Sequence, residues 1–182
     1  MIPAFTCNGL LPPFVGDLTV STGHSPYLST MEGVVDRFAT SRQRCSILEG
    51  FLNFRSALHG AGMINGIQWL DGSFVEARTP DHPGDIDVIT FYALARPEEA
   101  AFLANNKPLV RSSETKRQFK VDAFFVSLLQ NPAITVSQTT FWYGLFGHQK
   151  GTGVWKGMVQ VPLPATPDAD VGARALLATR AT

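Results

Sequence analysis

Two aspartates separated by one residue open a β-branched and aromatic run at residues 85–92. This run predicts a strand, and because side chains alternate along a strand, Asp85 and Asp87 are expected on one face. Ile86 and Val88 would then point the other way, into the core. Neighbouring carboxylates repel unless a cation lies between them, and Mg²⁺ (or Mn²⁺) suits oxygen ligands and bridges carboxylates to phosphates. The alternative is a pair of solvated carboxylates at a strand entrance.

A third carboxylate, Asp122, lies among apolar residues in a second predicted strand, residues 117–126. On a neighbouring strand it would join the first pair and complete a two-metal site. In such a site one ion activates the attacking oxygen and the other neutralises the leaving phosphates. The alternative is a sheet-edge residue paired with Arg117 or Lys120, and strand alternation would place Lys120 on the same face as Asp122.

Gly72 and Ser73 directly follow another predicted strand, residues 66–70. A glycine at that point lets the backbone approach a phosphate closely, and Ser73 adds a hydroxyl donor. We expect the first turn of a helix beyond them, whose free amide hydrogens would bind phosphate. Gly72 and Ser73 are therefore predicted phosphate-binding residues.

Two lysines near the C-terminal strand are further candidates for phosphate binding. Lys150 and Lys156 flank a Gly-Thr-Gly turn, from which a lysine could reach a triphosphate as a point charge. A hairpin with solvated lysines is equally compatible with this spacing. The aromatic residues of segment 141–146 could stack on a base, although such a cluster more commonly belongs to a core.

Periodicity and turn residues predict the elements that position these side chains. Strands are expected at residues 66–70, 85–92, 117–126 and 154–161. Helices are expected near residues 31–38, from Ser41 to the glycines at 60 and 62, from Pro97 to about Asn105, and at 169–178. This mixture predicts an α/β (α+β) fold in which helices pack mainly on one face of the sheet.

Composition narrows the class of protein. With 182 residues, 45% of them hydrophobic and 16% charged, the chain is expected to form one domain, residues 1–182. Residues 1–30, rich in Pro, Gly, Ser and Thr, are predicted to be an extended N-terminal arm. The zero net charge indicates no extended nucleic-acid surface. Two cysteines, no basic signal sequence and no membrane-length apolar run favour a cytoplasmic location without membrane association.

Two segments together resemble a known signature. Residues 69–75 (WLDGSFV) and 84–89 (GDIDVI) are similar to that of the DNA polymerase beta-type nucleotidyltransferase superfamily. That signature is hydrophobic-Gly-Ser, a gap of about ten residues, Asp-hydrophobic-Asp-hydrophobic, and a third acidic residue on a later strand. More narrowly, the chain resembles a bacterial family of small nucleotidyltransferase-like proteins, through residues 8–13 (NGLLPP), 36–38 (DRF), 69–75, 119–122 (FKVD) and 155–158 (WKGM).

The resemblance implies a nucleotidyltransferase-type core with a mixed β-sheet. Asp85 and Asp87 would be metal ligands, Asp122 a ligand or general base, and Gly72 and Ser73 would contact phosphate. It further implies transfer of a nucleoside monophosphate from a nucleoside triphosphate to a hydroxyl of a protein, small molecule or RNA end, with pyrophosphate release. Some minimal members act instead as antitoxins, so the alternative is a binding module acting by contact with a partner protein, a toxin or a modification target.

Overall fold

The computed structural model describes residues 1–17, 23–77 and 83–180. Its strands are β1 Phe14–Val15, β2 Gly23–His24, β3 Tyr27–Leu28, β4 Gly66–Asp71, β5 Ile86–Tyr92, β6 Val121–Ser127 and β7 Val159–Pro162. Its helices are α1 Met31–Phe38, α2 Arg42–Gly60, α3 Arg96–Asn105, α4 Lys107–Val110, α5 Ser112–Phe119, α6 Pro132–Phe146 and α7 Val171–Arg180. A single 3-10 turn covers Ser73–Val75. None of the helices in these ranges has the length and apolar character needed to cross a membrane.

The central sheet has five strands in the order β3-β7-β4-β5-β6 and is mixed. Strand β4 runs antiparallel to both β5 and β7, whereas β5 pairs with β6 in parallel and β3 pairs with β7 in parallel. Strands β1 and β2 form a separate antiparallel pair. The predicted α/β fold with a mixed sheet is confirmed.

Most of the helices pack on one face of this sheet. Helix α2 contacts α1, α5 and α7 there, and α2 and α5 also contact β6. Ile86 and Val88 are fully buried in this core, as strand alternation predicts. The other face carries a smaller apolar cluster, which contains Trp69, Phe91 and Phe146 of α6. The prediction that helices lie mainly on one face therefore holds.

Side-chain caps fix the starts of the first two helices. The Thr30 hydroxyl accepts a hydrogen bond from the Gly33 amide, and the Ser41 hydroxyl accepts one from the Arg44 amide. Each cap satisfies one of the amide groups left unpaired at a helix N-terminus. Helices α1 and α2, and also α3, begin within a residue of their predicted positions.

The prediction of one strand over residues 117–126 is wrong in its first part. Residues 117–119 complete α5, Lys120 ends it in the left-handed conformation with φ +57°, and β6 starts at Val121. The reason is packing: Thr115 and Phe119, four residues apart, are the buried residues of α5. Gly50 of α2 permits this contact, since a Cβ there would lie 2.1 Å from the Phe119 carbonyl oxygen.

The strand predicted at residues 154–161 is shorter and starts later. The amide of Lys156 donates to the Gly147 carbonyl oxygen at 2.8 Å, and the amide of Gly157 donates to the Leu11 carbonyl oxygen at 2.7 Å. These bonds tie the segment to the end of α6 and to the N-terminal segment before β7 begins. The preceding aromatic run lies within α6.

The described part of the predicted N-terminal arm contributes to both the core and the sheet. Leu10 and Leu11 are buried, and Tyr27 lies in the edge strand β3 beside Val159 of β7. The segment is anchored at Gly9, whose carbonyl oxygen accepts a hydrogen bond from the Ala77 amide at 2.7 Å.

A buried ion pair joins α2 to the start of α7. The Arg55 guanidinium donates to both carboxylate oxygens of Asp170, at 2.7 and 3.0 Å, and both residues are almost fully buried. Its remaining nitrogen donates to Gln68 Oε1 at 2.7 Å and to the Pro162 carbonyl oxygen at 2.9 Å. Arg55 thereby links α2, β4, β7 and α7 through charge-assisted hydrogen bonds.

Candidate active site

Three aspartates form one row across the sheet. Asp71, the last residue of β4, pairs in register with Asp87 of β5, and Asp87 pairs with Asp122 of β6. Residues directly opposite each other on neighbouring strands point to the same face, so the three carboxylates lie side by side. Asp85 directly precedes β5. The structure thus brings the three predicted carboxylates together and adds Asp71, which sequence reasoning missed.

Helix α5 holds the carboxylate of Asp122 at both oxygens. The Lys116 ammonium lies 2.8 Å from Asp122 Oδ2 and 2.8 Å from Asp85 Oδ2, so it bridges two of the aspartates. The Ser112 hydroxyl donates a hydrogen bond to Asp122 Oδ1. Ser112 and Lys116 are four residues apart and therefore lie on one side of the helix.

The partners considered for Asp122 at the sequence level lie elsewhere. Lys120 donates to Ser46 Oγ at 2.6 Å, and Arg117 pairs with Glu114 at 2.6 Å. The expectation that Lys120 shares a face with Asp122 is wrong because Lys120 is a helix cap, not a strand residue. Strand alternation therefore does not extend to it.

Gly72 brings the backbone against the carboxylate of Asp87. It has φ +81°, and a Cβ at this position would lie 1.8 Å from Asp87 Oδ2. Both the conformation and the close approach require glycine. The carboxylate row is therefore packed directly onto the turn that follows β4.

The helix expected after Gly72 is only the 3-10 turn Ser73–Val75. Glu76 is already extended, with φ −114° and ψ 146°, and the next residue, Ala77, donates to the Gly9 carbonyl oxygen. The predicted helical turn is therefore present but is a short 3-10 turn, and phosphate binding at its start stays a prediction. Ser73 lines the same cleft as the aspartates.

Lys156 is buried beneath this turn. Its ammonium lies 3.0 Å from Asp71 Oδ1, 2.9 Å from Glu76 Oε1 and 3.1 Å from the Gly72 carbonyl oxygen, and the side chain is 2% exposed. An ammonium group has three donors, and three acceptors surround this one. These contacts favour a role for Lys156 in positioning the turn instead of direct phosphate binding.

A second buried cation supports the turn from the other side. The Arg44 guanidinium of α2 donates to the carbonyl oxygens of Phe74 and Glu76. Gln149 donates to Glu76 Oε2 at 3.0 Å. Side chains from α2 and from the segment after α6 thus hold the Gly72–Glu76 backbone in place.

The carboxylates open into a cleft of about 660 Å³. All seven predicted site residues line it: Gly72, Ser73, Asp85, Asp87, Asp122, Lys150 and Lys156. Lys150 is exposed at this cleft, in the turn after α6. Part of the lining is aromatic, where Trp142 packs on Phe124 with ring centroids 4.6 Å apart. Both rings pack against the smaller cluster and also line the cleft. The two interpretations of segment 141–146, core packing and base stacking, are therefore compatible for Trp142.

Burial, together with neighbouring negative charge, raises the pKa values of two aspartates in the row. The pKa of Asp87 is raised to about 6, first by burial and then by the charges of Asp85 and Asp122. The pKa of Asp71 is raised to about 7 by burial, against the opposing effect of Lys156. Hydrogen bonds to Asp122 and Asp85 hold the pKa of Lys116 above its ordinary value.

The donor set of the cleft suits a hard divalent cation. Carboxylate oxygens are the preferred ligands of Mg²⁺, and the row already attracts the ammonium group of Lys116. Across residues 1–17, 23–77 and 83–180, no group of three acidic, histidine or cysteine side chains is arranged to hold a metal ion. In the described arrangement the Lys116 ammonium lies between Asp85 and Asp122.

One protein family matches most of the chain. The model of a family of unknown function (DUF6932) matches residues 3–162, a region that contains every residue of the cleft. No curated protein and no solved structure shows significant similarity to the chain. The chain belongs to this family.

The two candidate lysines are expected to differ in their effect on stability. Lys156→Met should lower the free energy of unfolding by about 3 kcal/mol, because it leaves Asp71 and Glu76 buried without their cation. Lys150→Met is the matched control and should change stability by less than about 0.5 kcal/mol, since Lys150 is exposed. Urea denaturation measures both. Equal effects of the two substitutions would contradict the structural role of Lys156.

The raised pKa of Asp87 predicts a pH-dependent gain in stability on its removal. The folded chain binds this proton more tightly than the unfolded chain, so ionisation of Asp87 disfavours folding as pH rises from about 4 to about 6. Asp87→Asn, measured in EDTA, should be about 1 kcal/mol more stable than wild type at pH 7.5, with the gain vanishing near pH 4. Exposed Asp36→Asn on α1 is the control. A gain that does not vary with pH would refute the assignment.

Proposed function

We propose that this member of family DUF6932 is a metal-dependent nucleotidyltransferase. It transfers a nucleoside monophosphate from a nucleoside triphosphate to an acceptor hydroxyl and releases pyrophosphate. The observation that carries the proposal is the meeting of Asp85, Asp87 and Asp122 at one cleft, with Asp87 packed against the Gly72 turn. Residues from three separate stretches of sequence thereby create a site of concentrated negative charge.

The carboxylates have distinct parts in the proposed reaction. Asp85, Asp87 and Asp122 would hold Mg²⁺ or Mn²⁺, which supplies neutralisation of the triphosphate charge. The acceptor oxygen attacks the α-phosphorus, and the bond from that phosphorus to the pyrophosphate oxygen breaks. Asp122 accepts the proton of the acceptor hydroxyl, and the hydrogen bond that its carboxylate accepts from the Ser112 hydroxyl orients it for this transfer.

Other residues of the cleft bind the nucleotide in this proposal. The Ser73 hydroxyl and the exposed Lys150 ammonium lie at the same cleft and are able to donate to phosphate oxygens. Trp142 and Phe124 form an aromatic wall on which a base can stack. The proposed location is the cytoplasm, where triphosphates and Mg²⁺ are available and the free thiols of Cys7 and Cys45 stay reduced.

Removing a single carboxylate should abolish transfer. With Mg²⁺, each labelled nucleoside triphosphate and host lysate as the source of acceptor, wild type should release pyrophosphate and label one acceptor. Asp85→Asn and Asp87→Asn should each lower the rate about 100-fold or more, because the charge that holds the cation is lost. Asp36→Asn, which removes an exposed carboxylate of α1, should keep full activity. Unchanged activity in both site variants would refute the proposal.

A second candidate function is suggested by the surface of α6. This helix contains no charged residue, and four of its apolar side chains are more than 45% exposed: Ile134, Val136, Phe141 and Leu145. Ile134, Phe141 and Leu145 are seven and four residues apart and therefore lie on one side of the helix, and an exposed apolar patch of this kind is typical of protein–protein contact sites. The alternative proposal is therefore a nucleotidyltransferase-like antitoxin or binding module that acts by contact with a partner protein, a toxin or modification target.

Two variants test whether the chain acts by contact through α6, without need of the carboxylates. In co-expression with the protein encoded by the adjacent gene, contact through α6 predicts that Phe141→Asp loses the complex. The double variant Asp85→Asn/Asp87→Asn should retain it. Size-exclusion chromatography of the co-expressed pair measures both. Loss of the complex in the double variant alone would exclude binding through α6.

A further inference from the structure

Lys116 occupies an unusual position for a lysine near the edge of an active-site cleft. Its ammonium group lies 2.8 Å from a carboxylate oxygen of Asp85 and 2.8 Å from one of Asp122. The side chains of these partners are 24% and 17% exposed, whereas that of Lys116 is 48% exposed. Lys116 thus bridges two carboxylates from the solvent side and is not itself enclosed.

We propose that Lys116 is a built-in competitor of the divalent cation for Asp85 and Asp122. In the metal-free chain the ammonium group occupies the place between the two carboxylates, and metal binding displaces it into the cleft. This inference rests on the proposed function, because it assigns a role to Lys116 at the same metal site.

The charges around the cleft support displacement. Asp85, Asp87 and Asp122 carry three negative charges, and Lys116 brings one positive charge into direct contact with two of them, so these four groups together stay net negative. Lys156 cannot provide the missing charge, because Asp71, Glu76 and a carbonyl oxygen already surround its buried ammonium. A divalent cation compensates more charge than an ammonium group and binds several carboxylate oxygens at once.

The side chain of Lys116 is also able to move. Lysine carries its charge on a flexible four-carbon stem, and nearly half of this side chain is exposed, so leaving the carboxylates exposes little new surface. Ser112, one turn earlier on α5, stays hydrogen-bonded to the other oxygen of Asp122. The carboxylate is therefore still oriented after the ammonium has left.

Displacement couples metal binding to nucleotide binding. In the absence of nucleotide, metal must replace an ion pair with two carboxylates, which lowers its affinity. When a triphosphate is present, the displaced ammonium has phosphate oxygens to pair with, and the cost of displacement is reduced. Metal should therefore bind more tightly with nucleotide than without it, and Lys116 should be one source of that difference.

The test is a titration of the full chain with Mn²⁺ alone, in which the electron paramagnetic resonance signal of the free ion measures how much Mn²⁺ is bound. Lys116→Met should bind Mn²⁺ about tenfold more tightly than wild type, because the substitution removes both the competing ammonium group and its positive charge. Arg117→Met is the matched control: it removes the neighbouring positive charge of α5, which pairs with Glu114. It should change the affinity by less than about twofold.

The outcomes separate this inference from the proposed function. If wild type binds Mn²⁺ and Lys116→Met binds it equally or more weakly, Lys116 positions the carboxylates and does not compete, and the nucleotidyltransferase proposal is unaffected. If neither protein binds Mn²⁺, either alone or with a nucleoside triphosphate present, the metal site fails and both proposals fall. A second measurement needs no variant: the side-chain ammonium resonance of Lys116 should shift on addition of Mg²⁺, and an unchanged resonance with bound Mg²⁺ would overturn displacement.

Discussion

Repulsion between carboxylates on neighbouring strands is the constraint around which this structure is built. The register of β4, β5 and β6 places Asp71, Asp87 and Asp122 side by side. Such a row is unfavourable unless cations compensate it. The chain supplies one lysine at each end, Lys156 beside Asp71 and Lys116 beside Asp122. Asp87, in the middle, lies between these two pairs and has a raised pKa.

Lys156 and Lys116 carry the same charge but differ in burial. This difference favours a structural role for Lys156 and a role in the proposed reaction for Lys116. Lys156 is enclosed, and its contacts join the end of β4 to the turn after it. Lys116 is half exposed on a helix surface, and its ammonium group pairs with Asp85 and Asp122, two carboxylates of the proposed metal site. A buried charge with satisfied partners is costly to move, whereas a solvated one exchanges partners readily. The Asp71 end of the row is therefore fixed by its buried ion pair, whereas Asp122 at the other end is able to exchange its cationic partner.

Sequence reasoning could locate Asp85, Asp87 and Asp122 because each stands out locally, as a doublet at a strand start or as a charge in an apolar run. It missed Arg44 and Glu76, whose roles depend on contacts about 30 to 80 residues apart along the chain. Such partners carry no local signal, since periodicity reports only which face of an element is apolar. The same limit explains why residues 117–119 were predicted as strand. The mostly polar sequence of α5 gives no local sign of its two buried residues, whose packing on α2 stabilises the helix.

The pair formed by Arg55 and Asp170 bears on where this fold ends. The region matched by the family model stops at residue 162, the last residue of β7, and so includes the whole cleft but excludes Asp170 and α7. A fragment cut at that boundary would keep every proposed catalytic side chain, yet would leave a guanidinium inside the protein without its counter-ion. Residues beyond the matched region therefore complete the charge balance of the core.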